Sequence, residues 1–159
     1  MKKRIVVAVI LAVLMAASAY AQTEGTTTTS PFIDDLFTAV MFGTPQDVQA
    51  AIDKGADVNA FDKTGATPLI YAAVYSKNPK VITTLLEAGA NIDARDNRGD
   101  TALLWAVYDA NLEAITAFLQ AGADAKVKNK YGTTALDFAK DNNYMKGTDA
   151  LKLLEEASK

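Results

Sequence analysis

Asp62-Lys63-Thr64-Gly65-Ala66-Thr67-Pro68-Leu69-Ile70-Tyr71-Ala72-Ala73 reads as a tight turn followed at once by a helix. Asp62 can accept backbone N–H groups and Gly65 can take positive φ, which is turn chemistry. Thr67 suits a helix N-cap, and Pro68 falls at the first helical position, where its missing N–H costs nothing. The pattern returns as Asp96-Asn97-Arg98-Gly99-Asp100-Thr101-Ala102-Leu103-Leu104-Trp105-Ala106-Val107 and as Asn129-Lys130-Tyr131-Gly132-Thr133-Thr134-Ala135-Leu136-Asp137-Phe138-Ala139. Gly65, Gly99 and Gly132 are therefore spaced by 34 and 33 residues, and a second series, Gly55, Gly89 and Gly122, keeps the same spacing. The second series closes apolar runs such as Leu85-Leu86-Glu87-Ala88-Gly89 and Phe118-Leu119-Gln120-Ala121-Gly122. Two interleaved glycine series with one period define a repeated unit.

Within the unit, Leu69, Leu103 and Leu136 are expected to face the core, and Ala72, Ala106 and Ala139 to let neighbouring helices approach closely. A second helix carries Val48, Ala51 and Ile52, then Ile82, Leu85 and Leu86, then Ile115, Phe118 and Leu119, an i, i+3, i+4 stripe ended by a C′ glycine. Working outward, Leu36, Phe37 and Ala39 mark a degenerate first unit, with Pro31 and Pro45 at first-turn positions after Ser30 and Thr44. The second unit holds one extra residue, placed in the turn Tyr75-Ser76-Lys77-Asn78-Pro79, with Asn78 as the cap of its outer helix. The last unit ends in Thr148 to Ala157, where Leu151, Leu153 and Leu154 form an apolar side against Lys152, Glu155 and Glu156.

A period near 33 residues with this content resembles the ankyrin repeat. The resemblance implies an all-α solenoid of about four helix-turn-helix units joined by β-turn or hairpin loops, with capped terminal units. Residues 31–159 would form the domain, in units of about 31–60, 61–94, 95–127 and 128–158. The family often places histidine after Thr-Pro-Leu to tie the loops of adjacent units together. Here Ile70, Leu104 and Asp137 fill those slots, so apolar packing is expected to replace hydrogen bonding at two of the three.

The ends read differently. Lys2, Lys3 and Arg4, an apolar run from Ile5 to about Ala17 and the small-x-small Ala19-Tyr20-Ala21 predict a secretory signal peptide over 1–21. The run is short for a retained anchor and ends in small residues. Gln22 rather than cysteine follows the cut, unlike a bacterial lipoprotein. Residues 22–30, with Thr26 to Thr29 in a row, predict a flexible leader. The expected location is the periplasm, or else outside the cell.

The chain has 159 residues, a formal charge of −3, no cysteine and no histidine. Disulfides, Cys/His metal sites, thiol catalysis and Ser-His-Asp arrangements are excluded. Asp34-Asp35 and Glu155-Glu156 are adjacent in sequence, so neither pair points from one helical face and both read as solvated helix surface. Asp93, Asp96 and Asn97 do not have calcium-loop spacing. No phosphate-cradling motif and no basic excess suggests nucleic acid. A carboxylate-based hydrolase would need two acids converging in a pocket.

What remains is non-catalytic recognition of another protein, without cofactor or metal, by a monomer that no longer touches the membrane once the signal peptide is removed. The resemblance implies contacts at the turn tips and the end of the inner helix. In this chain these are Phe61, Lys63, Thr64 and Ala66; Arg95, Asn97, Arg98 and Asp100; Lys128, Lys130, Tyr131 and Thr133; and Val74, Tyr75, Tyr108 and Asp109. Lys63, Arg95, Arg98, Lys126, Lys128 and Lys130 would make a basic edge for an acidic patch on the partner. Such a surface could serve an immunity or inhibitor protein against an exported toxin or enzyme, or an envelope scaffold. Tyr71, Trp105 and Phe138 share one register, and core stacking of the inner helices is expected of them rather than a ligand platform.

Overall fold

The computed structural model describes residues 35–159; the expected signal peptide, the 22–30 leader and the start of the first unit at Pro31 lie outside the described residues. Helices there follow in the order α1 (Leu36–Phe42), α2 (Pro45–Asp53), α3 (Pro68–Tyr75), α4 (Pro79–Glu87), α5 (Ala102–Tyr108), α6 (Leu112–Gln120), α7 (Ala135–Asp141) and α8 (Asp149–Ala157). They alternate between two layers, α1, α3, α5 and α7 packing side by side inside and α2, α4, α6 and α8 outside. No strand occurs among the described residues. This is an all-α repeat solenoid.

The helix starts follow from the sequence. The hydroxyls of Thr67, Thr101 and Thr134 accept the N–H groups of Ile70, Leu104 and Asp137, and prolines open α2, α3 and α4. Asn78 caps α4 after the widened turn. Asp35 is not helix surface: its side chain accepts the Phe37 N–H and caps α1, while Asp34 lies outside the described residues.

Ala39, Ala72, Ala106 and Ala139 have no exposed surface, so inner helices meet with nothing larger than a methyl group between them. Outer helices contribute Val48, Ile82, Leu85, Ile115 and Phe118, each buried to 1% exposure or less. Each of the first three outer helices ends in the same double hydrogen bond. Gly55 N–H donates to the Ile52 carbonyl and Ala56 N–H to the Ala51 carbonyl, and the pattern recurs at Gly89 and Gly122, with glycine φ of 95, 91 and 87°. Ala110 closes α5 in this way at φ 52°, and among the described residues it alone has positive φ without being glycine. In α8 the packing differs from the sequence reading. Leu153 faces solvent at 36% exposure, while Ala150, Leu154 and Met145 from the preceding connection are buried.

The three slots are filled as expected at two positions, since Ile70 and Leu104 are buried apolar residues. Hydrogen bonding between units is nevertheless retained, because asparagines at other positions supply it. Asn111, 5% exposed, donates from Nδ2 to the carbonyls of Ala73 (3.0 Å) and Ser76 (3.1 Å) in the preceding unit. Asn142 donates to the Val107 carbonyl, Asn59 to that of Gly89 and Asn97 to that of Lys63. Backbone bonds from Asn97 to Thr64 and from Lys130 to Arg98 link successive tips.

Opposite effects are expected from adjacent substitutions. Ala110→Gly relieves a left-handed alanine and should stabilise the fold by about 1 kcal/mol. Asn111→Ala strands two buried carbonyls and should cost about 2–3 kcal/mol. Urea denaturation of the two variants checks both signs.

Candidate functional site

Each turn tip is organised by one side-chain oxygen. Asp62 Oδ1 accepts the N–H groups of Thr64 (2.8 Å) and Ala66 (3.0 Å); Asp96 Oδ1 those of Arg98 (2.8 Å) and Asp100 (2.9 Å); Asn129 Oδ1 those of Tyr131 (2.9 Å) and Thr133 (3.0 Å). The glycine behind each oxygen is in the left-handed region, and at Gly65 a Cβ would lie 2.9 Å from the Asn97 backbone nitrogen. Close approach of successive tips therefore needs glycine at that position.

The second oxygen of the two aspartates reaches the inner helix. Tyr71 Oη donates to Asp62 Oδ2 at 2.8 Å, and Trp105 Nε1 to Asp96 Oδ2 at 3.1 Å. Phe138, in the same register, has nothing to donate, and its unit carries Asn129, whose Nδ2 donates to Asp100 Oδ1 at 2.8 Å. These aromatics are not core residues as the sequence reading expected. They are half-buried, resting on the core with one side and lining open grooves with the other.

Phe37 extends the row, its ring 5.1 Å from that of Tyr71 and edge-on to it. Tyr75 lies 5.8 Å from Tyr71, and Tyr108 lies between Trp105 (5.9 Å) and Phe138 (6.2 Å). One groove of about 200 Å³ runs between Tyr71, Tyr75 and Trp105, and another of about 320 Å³ between Trp105, Tyr108, Tyr131 and Phe138. Trp105 is the wall they share. The sequence reading missed Phe37, Trp105 and Phe138 as surface residues, although the 34-residue offset from Phe37 to Tyr71 was there to be read.

The expected contact residues differ in exposure. Phe61, Lys63, Tyr75, Arg95, Tyr108, Asp109, Lys128, Lys130 and Tyr131 are exposed, as are Thr64 and Asn97, which are also tied within the tips. Val74 and Thr133 are half-buried, whereas Ala66 and Asp100 are buried. Arg98 is no free cation: its guanidinium stacks 4.5 Å from the Trp105 ring centre, and its Nε lies 3.3 Å from Asp100 Oδ2 and 4.0 Å from Asp96 Oδ2. No buried side-chain nitrogen or oxygen among the described residues lacks a partner.

The Asp62–Tyr71 bond sets two ionisations. Hydrogen bonds from the Thr64 hydroxyl first, then from Tyr71 and the Ala66 and Thr64 amides, outweigh desolvation and hold the Asp62 carboxyl at about 2. Asp62, as acceptor, pushes the Tyr71 phenol up to about 12. At the third slot Asp137 closes a capping box with Thr134, whose hydrogen bonds lower its pKa.

A family model described as ankyrin repeats, in three copies, matches residues 33–96 and 73–158. No curated protein matches the chain.

The Asp62 pair predicts a pH dependence. A carboxyl held below its unfolded value stabilises the fold above pH 4 and loses that contribution as pH falls toward about 2. A phenol held above its unfolded value contributes below pH 10 and loses this as pH rises toward about 12. Tyr71→Phe should abolish the tyrosine ionisation near pH 12, followed by phenolate absorbance, and raise the pH at which acid unfolding begins.

Proposed function

The chain belongs to the ankyrin repeat family, whose repeats are protein-interaction modules, and on that premise we propose that it binds another protein non-catalytically outside the cytoplasm. One observation carries this reading. The face formed by the inner helices, which in a repeat solenoid is the concave one, holds a run of aromatic rings whose polar atoms are tied internally where they are half-buried, yet which leaves Tyr75 at 53% and Tyr108 at 67% exposure. Aromatic surface of this kind is costly to leave in water and supplies much of the energy of protein–protein contacts. Firm anchoring lowers the entropy lost on binding.

Non-catalytic action is supported by what the buried acids already do. Asp100, which lines the larger groove, and Asp96, which is bonded to its Trp105 wall, are committed to turn amides, Trp105, Asn129 and Arg98. Around Asp62 the acceptors are similarly used by Thr64, Ala66 and Tyr71. An acid or base needs a lone pair aimed at a substrate, and these point into the fold.

Export is proposed from the sequence of residues 1–21, and the working location is the periplasm. The chain is read as a monomer. Its partner is read as carrying an acidic patch, because the exposed Lys63, Arg95, Lys128 and Lys130 sit on the tips of an otherwise acidic molecule.

Two measurements test the reading. N-terminal sequencing of the protein recovered from the cell envelope should begin at Gln22; an intact Met1 would refute export by cleavage. Affinity capture from an envelope fraction should yield a partner that Tyr108→Ala no longer retains, with the circular dichroism spectrum unchanged. Capture that is indifferent to Tyr108 would refute the concave face as the site.

A further inference from the structure

Residues 123–130 alternate strictly between buried and exposed positions. Ala123, Ala125, Val127 and Asn129 point inward, while Asp124, Lys126, Lys128 and Lys130 point out. The Val127 N–H closes a turn onto the Asp124 carbonyl at 3.4 Å, so Lys126 lies within that turn, and Lys128 and Lys130 follow it on the exposed side, flanking buried Asn129. Arg95, the counterpart of Lys128 one unit earlier, is exposed as well. None of these four cations takes part in the ion pairs among the described residues, which join Arg98 to Asp96 and Asp100 and Lys152 to Asp149. The acidic neighbours are few: Asp124 precedes the lysines, Asp93 accepts the Asp124 N–H, and Lys128 feels Asp137.

This row runs directly into the larger groove. Tyr131 follows Lys130 in the chain, is 75% exposed and forms one wall of the 320 Å³ space opposite Trp105 and Phe138. Inside the groove the charges of Arg98 and Asp100 compensate each other at 3.3 Å, so its lining offers mainly ring and methyl carbon. The volume is at the small end of ligand sites, a size for one or two side chains rather than for a whole cofactor.

We infer that the partner presents an extended acidic segment bearing one bulky apolar side chain. This rests on the reading of the concave face as a protein-binding surface and names the chemistry of its partner. The apolar side chain enters the groove between α5 and α7, and carboxylates beside it pair with Lys128, Lys130 and Arg95. Unpaired cations at the rim raise the rate of encounter with an acidic partner and reject a basic one, while the desolvated aromatic pocket supplies most of the affinity.

The test is selection from a random peptide library by protein purified from cells expressing the full-length chain. Titration of selected peptides then uses fluorescence of Trp105, the one tryptophan of the chain. Enriched peptides should combine Asp or Glu with a Phe, Trp, Leu or Ile, and should change Trp105 emission. Their dissociation constants should rise with salt, by about tenfold on reversing Lys128 and Lys130 to Glu, and by about tenfold on Tyr131→Ala. Both are surface changes, and unaltered circular dichroism guards against misfolding. Enrichment of basic or uncharged peptides, no enrichment, indifference to the lysine reversals, or tighter binding of a single-stranded oligonucleotide would each overturn the inference. If any of these occurs while an envelope partner is still captured in a Tyr108-dependent way, the acidic chemistry falls and the binding face stands. If capture itself ignores Tyr108, the underlying reading falls.

Discussion

One acceptor oxygen at residues 62, 96 and 129 holds each turn tip, and what the same side chain does with its second atom shapes the concave face. A carboxylate has a second acceptor, so in two units an aromatic nine residues later donates to it, as Tyr71 does to Asp62 and Trp105 to Asp96. An amide has a donor there instead, so Asn129 reaches back to Asp100, and the aromatic of that unit is Phe138, which asks for no acceptor. The choice between Asp and Asn at the tip and the choice of aromatic on the inner helix are thus one choice. Each satisfied pair fixes a ring against the core, and the rings in turn form the walls of the grooves.

Stacking such units requires bonds between them, and this chain makes many of those bonds with the neutral side-chain amides of asparagine. Histidine would bring a group that titrates near neutral pH. Asn59, Asn97, Asn111 and Asn142 do the equivalent linking without any change of charge. Isoleucine and leucine at two of the slots add buried surface on top of this network rather than replacing it. These amide links do not titrate; two carboxylates also accept across units, Asp93 from the Asp124 N–H and Asp100 from Asn129 Nδ2, while the shifted Asp62 and Tyr71 ionisations belong to a pair within one unit.

Most of the architecture was legible in sequence because glycine, proline and threonine act locally. The two glycine series, the capping threonines and the widened turn at Asn78 each need only a few neighbouring residues to be decided. What was not legible depends on contacts made only on folding, with partners more than thirty residues away for Asn111 and within ten residues for Arg98. Nothing near Asn111 announces that its amide will reach Ala73 and Ser76, and nothing near Arg98 tells that it will lie over Trp105 and beside Asp100 instead of standing free. The aromatic row was visible as a register, but its half-exposed state depends on how four inner helices pack side by side. Leu153 was misplaced for a simpler reason: a short terminal helix shows one face to the stack, and Ala150 and Leu154 already occupy it.

The floor of the concave face varies little from unit to unit, since an aromatic stands on every inner helix. Discrimination between partners must therefore come from the tips, where the counterparts differ: Phe61, Arg95 and Lys128 in one row, Lys63, Asn97 and Lys130 in another, Thr64, Arg98 and Tyr131 in a third. In these rows the first tip presents one phenylalanine and one lysine, the second two arginines, and the last two lysines and one tyrosine. Backbone bonds between tips keep these side chains at fixed separations, so their pattern is a rigid one. A partner that matches the pattern loses little flexibility of the protein on binding, and one that does not match cannot induce a fit without breaking the bonds that hold neighbouring tips together.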